Sequence, residues 1–180
     1  MKSLRMILAA AICAFCVASC APSAAPSIGA PVRVSANAAL QPAGATLTYP
    51  DSGGYTATFV YGSNNAPSGT VATITTITNP PASLIPMDRP PGTMLIAYEL
   101  TLNEDVRFTV WNGFLSSVTL PQSIRPSGRS FADYGFDLTL GVASGSDPGT
   151  VSGSIVSFPA GRLPVTLVAN HTYLMVLVMQ

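Results

Sequence analysis

Apolar and polar residues alternate along most of the chain after its first thirty positions. In GYTATFVY, Gly54 to Tyr61, the residues Tyr55, Ala57, Phe59 and Tyr61 share one face, and Thr56, Thr58 and Val60 the other. That period of two is the pattern of a half-buried strand. TMLIAYELT, Thr93 to Thr101, repeats it with Met94, Ile96, Tyr98 and Leu100 inward and Glu99 opposite. FADYGFDLTL sets Tyr134, Phe136, Leu138 and Leu140 on one side, and Asp133, Gly135 and Asp137 on the other. Between such runs lie the turn clusters PDSGG, GSNNAPSG, NPPASLIPMDRPPG, RPSGR and SGSDPG. Turn chemistry at this spacing, without a helical pattern in the body, predicts an all-β fold: an antiparallel two-sheet β-sandwich, Ig-like or jelly-roll-like.

Three stretches depart from strict alternation. TVATITTIT, Thr70 to Thr78, spaces Val71, Ile74 and Ile77 by three, yet eight of its nine residues are β-branched, which favours a strand. A β-bulge near Thr75 and Thr76 would return Ile77 to the core face. In RFTVWNGFLSSVTL, Asn112-Gly113 is a hairpin signal that would pair Trp111 with Phe114 and Val110 with Leu115. Val118 then falls on the wrong face, so either a bulge follows Gly113 or the two arms belong to different sheets. Leu174 to Met179 is continuously apolar, as expected of a strand covered on both faces and deep in the fold. An outer-membrane barrel is disfavoured, because no aromatic girdle repeats and the chain ends in Gln180.

The first twenty residues follow a different grammar. Lys2 and Arg5 precede an apolar run of 12 residues, Met6 to Val17, and small residues follow. As a helix that run reaches about 18 Å at roughly 1.5 Å per residue, short of the roughly 30 Å hydrocarbon core. Val17-Ala18-Ser19-Cys20 resembles the bacterial lipoprotein signal, whose closing cysteine is lipid-modified and becomes the new amino terminus. The resemblance implies removal of residues 1–19, with Cys13 and Cys16 among them, and lipid attachment at Cys20. Ala21 in place of an aspartate favours the outer membrane by the same resemblance. APSAAPSIGA, Ala21 to Ala30, has the composition of a tether. The chain thus divides into a signal peptide (1–19), a lipidated cysteine with its tether (20–30) and one β-sandwich domain (31–180).

Composition narrows the chemistry. Without residues 1–19 the chain carries six arginines, no lysine and eight acids, a net charge near −2. No basic patch for nucleic acid follows from such a balance, and lysine-assisted mechanisms are excluded. Charged residues make up 9% of the sequence, against about 25% in ordinary soluble domains. Cys20 and His171 alone cannot supply the four ligands of a structural zinc site, so no metal or other cofactor is expected. His171, the only histidine, lies in ANHTY, which reads as a hairpin turn between the last two strands with no catalytic task. Asp133 and Asp137 share a strand face about 13 Å apart at roughly 3.3 Å per residue. That is wider than the roughly 5–9.5 Å of glycosidase carboxylate pairs, and solvated outward acids are the better reading unless a bulge at Gly135 narrows the gap. Glu104-Asp105 reads as an exposed turn and lacks calcium-loop spacing. No catalytic residues are assigned, and the chain is not expected to be an enzyme.

Trp111 and Asn112, at a hairpin tip, are the one candidate ligand contact, where an indole can stack on a sugar or fill a partner's pocket. The competing reading packs Trp111 against Phe114. The body from Thr48 to Met179, with GGYTATFVYGSNNAPSGT near its start and PVTLVANHTYLMVLV at its end, resembles uncharacterised bacterial β-sandwich lipoproteins. Such a resemblance implies a fold and an envelope location, and no catalytic residue. The expectation is a lipid-anchored, non-catalytic binding or structural module of the cell envelope. Its partners are the membrane, through its anchor, and an envelope glycan or protein. An adhesin-like or carbohydrate-binding module using loop-end aromatics is the alternative, and a hydrolase is less favoured.

Overall fold

The computed structural model describes residues 29–85, 90–109, 113–159 and 164–180. Cys20, the signal segment 1–19, most of the tether, Trp111 and Asn112 lie outside them. The strands are β1 (Val32–Ala39), β2 (Ala45–Thr48), β3 (Thr56–Tyr61), β4 (Val71–Thr78), β5 (Thr93–Leu102) and β6 (Val106–Phe108). They continue with β7 (Ser117–Thr119), β8 (Phe131–Asp137), β9 (Val142–Ser152), β10 (Ile155–Ser157), β11 (Val165–Leu167) and β12 (Thr172–Met179). A 3₁₀ turn, Ala82–Leu84, follows β4. No helix among the described residues is long and apolar enough to cross a membrane.

Ten strands form one antiparallel sheet in the order β1-β4-β5-β12-β8-β9-β10-β7-β3-β2, curled nearly into a barrel, and β11 pairs with β6 in a small second sheet. Hydrogen bonding is continuous across the ten strands because β9 serves both halves. Its residues 142–149 pair with β8 and its residues 150–152 with β10. The side chains inside the curl make the main core: Tyr49, Phe59, Tyr61, Ile74, Ile96, Tyr98, Leu100, Phe108 and Leu177 are among those buried there. Full burial of each large apolar side chain of this kind contributes roughly 1.5–3 kcal/mol. A second cluster, Ile77, Ile85, Ala97, Phe136, Leu174, Val176 and Val178, covers the outer face of β4, β5, β12 and β8.

The alternation of β3 holds: Tyr55, Ala57, Phe59 and Tyr61 all join the inner core. So does the expectation for β12, a central strand between β5 and β8 whose residues from Tyr173 to Val178 are all buried. β4 contains no bulge. Its register with β1 and β5 is unbroken, and Ile77 lies in the outer cluster while Ile74 lies in the inner one. Ile77 finds apolar cover in the outer cluster, so nothing requires it to turn inward. The irregularity falls in β5 instead, where the pairing shifts between Leu177 and Val178 of β12, and Met94 packs outward rather than inward. β6 and β7 lie in different sheets, which settles the two options left by the Asn112-Gly113 stretch.

β8 reverses the expected orientation. Asp133, Gly135 and Asp137 pair with Leu177, Met175 and Tyr173, which face the inside of the curl. Tyr134 and Phe136 face the outer cluster. Asp133 and Asp137 are 2% and 6% exposed, so they are buried acids and not solvated ones. Leu140, expected on the apolar face, lies beyond the strand end and is 64% exposed.

Candidate ligand-binding cavity

A cavity of about 870 Å³ lies where the inner faces of β8, β9 and β12 meet β11. A bulge in β9 shapes its wall. Gly135 pairs with Gly145 and Phe136 with Ala143, leaving Ser144 as the extra residue, and Gly145 takes φ +134°, a conformation that favours glycine. Ser144 Oγ then lies over Gly135, so close that a Cβ on Gly135 would meet it at 2.6 Å. The bulge is in β9, and β8 itself stays extended, so it does not draw Asp133 and Asp137 together.

His171 and Asp137 form the polar centre of the wall. The segment ANHTY is a tight turn, with Asn170 at φ +61° and its N–H donating to Leu102 O at 2.7 Å. It joins β11 of the small sheet to β12 of the large one, and is therefore not the hairpin between paired strands that the sequence predicts. The turn sets the imidazole against the end of β8, with His171 Nδ1 2.8 Å from Asp137 Oδ2. Asp137 Oδ1 accepts the N–H groups of Thr139 at 3.0 Å and Leu140 at 3.1 Å. Thr172 N–H donates to Thr139 Oγ1 at 2.9 Å, fastening the turn after β8 to the start of β12. Facing a carboxylate that accepts hydrogen bonds, the neutral imidazole carries its proton on Nδ1 and leaves Nε2 as the acceptor.

Deeper in the cavity, Asp133 Oδ1 accepts the N–H of Asp147, its partner across β8 and β9. Phe114 stacks on Tyr173 with centroids 5.1 Å apart, and the His171 ring lies 6.1 Å from Tyr173. Tyr173 Oη accepts Val168 N–H at 2.8 Å. Burial pushes the Tyr173 phenol above its ordinary value, the Val168 N–H pulls it back, and the charge of Asp137 adds to the rise. Leu140, Val142 and Val168 line the cavity and are 64%, 47% and 40% exposed, so it opens to solvent on their side beneath an apolar lip.

Trp111, Asn112 and Cys20 lie outside the described residues, while Phe114, the proposed packing partner of Trp111, is buried against Tyr173. Sequence reasoning had named the residues that do meet here, Asp133, Asp137 and His171, and had set each aside. Their one available signal was three titratable groups in a chain with few, two of them on a shared strand face. Among the described residues no cluster of three or more His, Cys, Asp or Glu side chains could hold a metal ion. No Ser, Thr or Cys side chain hydrogen-bonds Nε2 of His171 among the described residues, so the pair presents a fixed acceptor to the cavity. No family model matches the chain, and no curated protein or solved structure shows significant similarity to it.

Proposed function

We propose that the chain is a lipid-anchored, non-catalytic binding module of the bacterial envelope, and that its ligand is a small molecule taken into the cavity bounded by β8, β9, β11 and β12. In this reading Cys20 carries the lipid, the outer membrane holds the anchor, and the segment up to Ala30 spaces the domain from it. The curled sheet then works as a two-layer sandwich, Ig-like or jelly-roll-like in outline, with β9 crossing between the layers. The observation that carries the reading is the cavity itself. Its 870 Å³ lies within the roughly 300–1,000 Å³ of small-molecule sites, and it combines apolar walls with a few fixed polar groups.

The test uses the full-length protein purified in non-ionic detergent. Ligand-detected saturation-transfer NMR with 4-tert-butylphenol is compared between the native protein and Ser144→Trp, whose indole would fill the space over Gly135. Thr166→Trp on the facing β11 serves as a second blocking variant. Circular dichroism establishes that each variant is folded. Transfer seen with the native protein and lost in both folded variants supports the cavity; equal transfer in all three would remove it. Metabolic labelling with radioactive palmitate addresses the anchor: label should enter the native chain and be absent from Cys20→Ser.

A further inference from the structure

We infer that the cavity selects a largely apolar molecule that carries a hydroxyl group and no negative charge, and that His171 Nε2 accepts that hydroxyl's proton in a hydrogen bond. The inference rests on the cavity being the ligand site. It adds the chemistry that the site reads.

Three features lead to it. The first is the fixed tautomer. Asp137 is held from both sides, Oδ1 by two backbone N–H groups and Oδ2 by His171 Nδ1, so the ring is oriented and its proton placed on Nδ1. Nε2 is left as an acceptor on a ring that lines the cavity, with 18% of the side chain exposed. The second is charge. If the imidazole takes up a second proton, its positive charge is already matched by Asp137 at 2.8 Å, so the pair has no surplus cation to neutralise an anionic headgroup. A carboxylate or phosphate ligand would gain nothing from it. The third is the rest of the surface. Asp133 and Asp147 also line it, two further carboxyl groups that offer an anion no partner, while Phe114, Tyr173, Leu140, Val142 and Val168 present apolar groups, which suits a ligand whose body is hydrocarbon or aromatic ring.

A hydroxyl meets these conditions because it donates one hydrogen bond without bringing charge. An ether of the same shape cannot donate. Binding it would leave Nε2 covered by apolar groups and without a partner, the costly half of the hydrogen-bond asymmetry.

The experiment compares three probes of nearly equal size: 4-tert-butylphenol, 4-tert-butylanisole and 4-tert-butylbenzoate. Dissociation constants come from NMR titration of the full-length protein in detergent, with the binding to Ser144→Trp subtracted as background. The phenol should bind roughly fivefold or more tighter than the anisole, given the usual net worth of one hydrogen bond and the cost of a covered acceptor. The benzoate should be the weakest of the three. His171→Phe keeps a ring in place and removes the acceptor, so phenol and anisole should then bind within about twofold of each other. His171→Gln restores an acceptor oxygen and should recover part of the preference, which guards against a merely structural effect of losing the ring. Equal affinity for phenol and anisole in the native protein overturns the inference, as does tighter binding of the benzoate or a preference that survives in folded His171→Phe. Those outcomes leave the cavity reading standing. Binding of no probe above the Ser144→Trp background overturns both.

Discussion

Tyr49 and Tyr98 show how one hydroxyl can help and its neighbour hinder. Their rings touch inside the curl, with centroids 4.8 Å apart, and both are about 1% exposed. Tyr49 Oη donates to Phe114 O at 3.0 Å, whereas the Tyr98 hydroxyl is buried with no hydrogen-bond partner among the described residues. An unpaired buried polar group costs about 1–3 kcal/mol, and a paired one returns about 1 kcal/mol. Tyr98→Phe is therefore expected to stabilise the protein by about 1 kcal/mol, a rise in Tm of about 2–4 °C for a chain of this size. Tyr49→Phe removes the bond to the Phe114 carbonyl and should lower stability by about 1 kcal/mol. Thermal unfolding of the two variants beside the native protein checks both signs at once. A loss of stability in Tyr98→Phe would mean that its hydroxyl has a partner in solution.

Single elements reveal where alternation was enough to read and where it was not. β3 was legible because one of its faces is much more apolar than the other. β12 was legible because a continuous apolar run needs cover on both sides. β8 and β4 were misread for a common physical reason: both bury residues on each face, β8 along its length and β4 from Ile74 onward, so alternation there separates two buried environments and not core from water. In β8 the polar face turned out to be the inner one, and with it went the candidate site. Asp133 and Asp137 share β8, but His171 lies 34 residues beyond Asp137, in the turn before β12. Only the pairing of β12 with β8 brings them to one wall, and strand order is not written in local pattern. β9 carries its own local requirement. At Gly149, where it passes from β8 toward β10, a Cβ would lie 2.5 Å from Val156 Cγ1 and 3.2 Å from Phe158 Cε1. Valine is short and stiff, so it cannot swing aside as a longer chain would. Gly149→Ala should therefore cost about 1–3 kcal/mol, read as a lower denaturation midpoint in urea with an unchanged slope. A neutral result would show that β9 bends with room to spare.

At the scale of the whole molecule, the edges and the core set different limits. The sheet ends at β1, whose outward side chains are tied to its neighbours by an Arg33–Glu99 ion pair that spans β4 and by hydrogen bonds of 2.9 Å between Ser35 and Thr75 and from Thr73 to Asn37. These contacts are exposed or part-buried and fix register more than they add stability. The core, by contrast, is built on tyrosines, and this makes stability depend on pH at the alkaline end. Burial raises the phenols of Tyr49 and Tyr98 above the ordinary range, and Tyr55 and Tyr173 move in the same direction, also chiefly through burial. In the unfolded chain these groups ionise near pH 10. Above that pH the folded protein keeps protons that the unfolded chain has released, so stability falls as pH rises. Below it both states are protonated and these groups add no pH dependence. Each tyrosine that stays protonated in the fold contributes a slope of up to about 1.4 kcal/mol per pH unit above about pH 10. Urea unfolding at pH 8, 9, 10 and 11 should therefore give a level midpoint through pH 9, as far as tyrosines set it, and a steep fall by pH 11. Tyr98→Phe removes one of the four contributors and should make the fall shallower while raising the plateau. A midpoint that stays level to pH 11 in the native protein would mean that the buried phenols ionise inside the fold, which a core this dry should not permit.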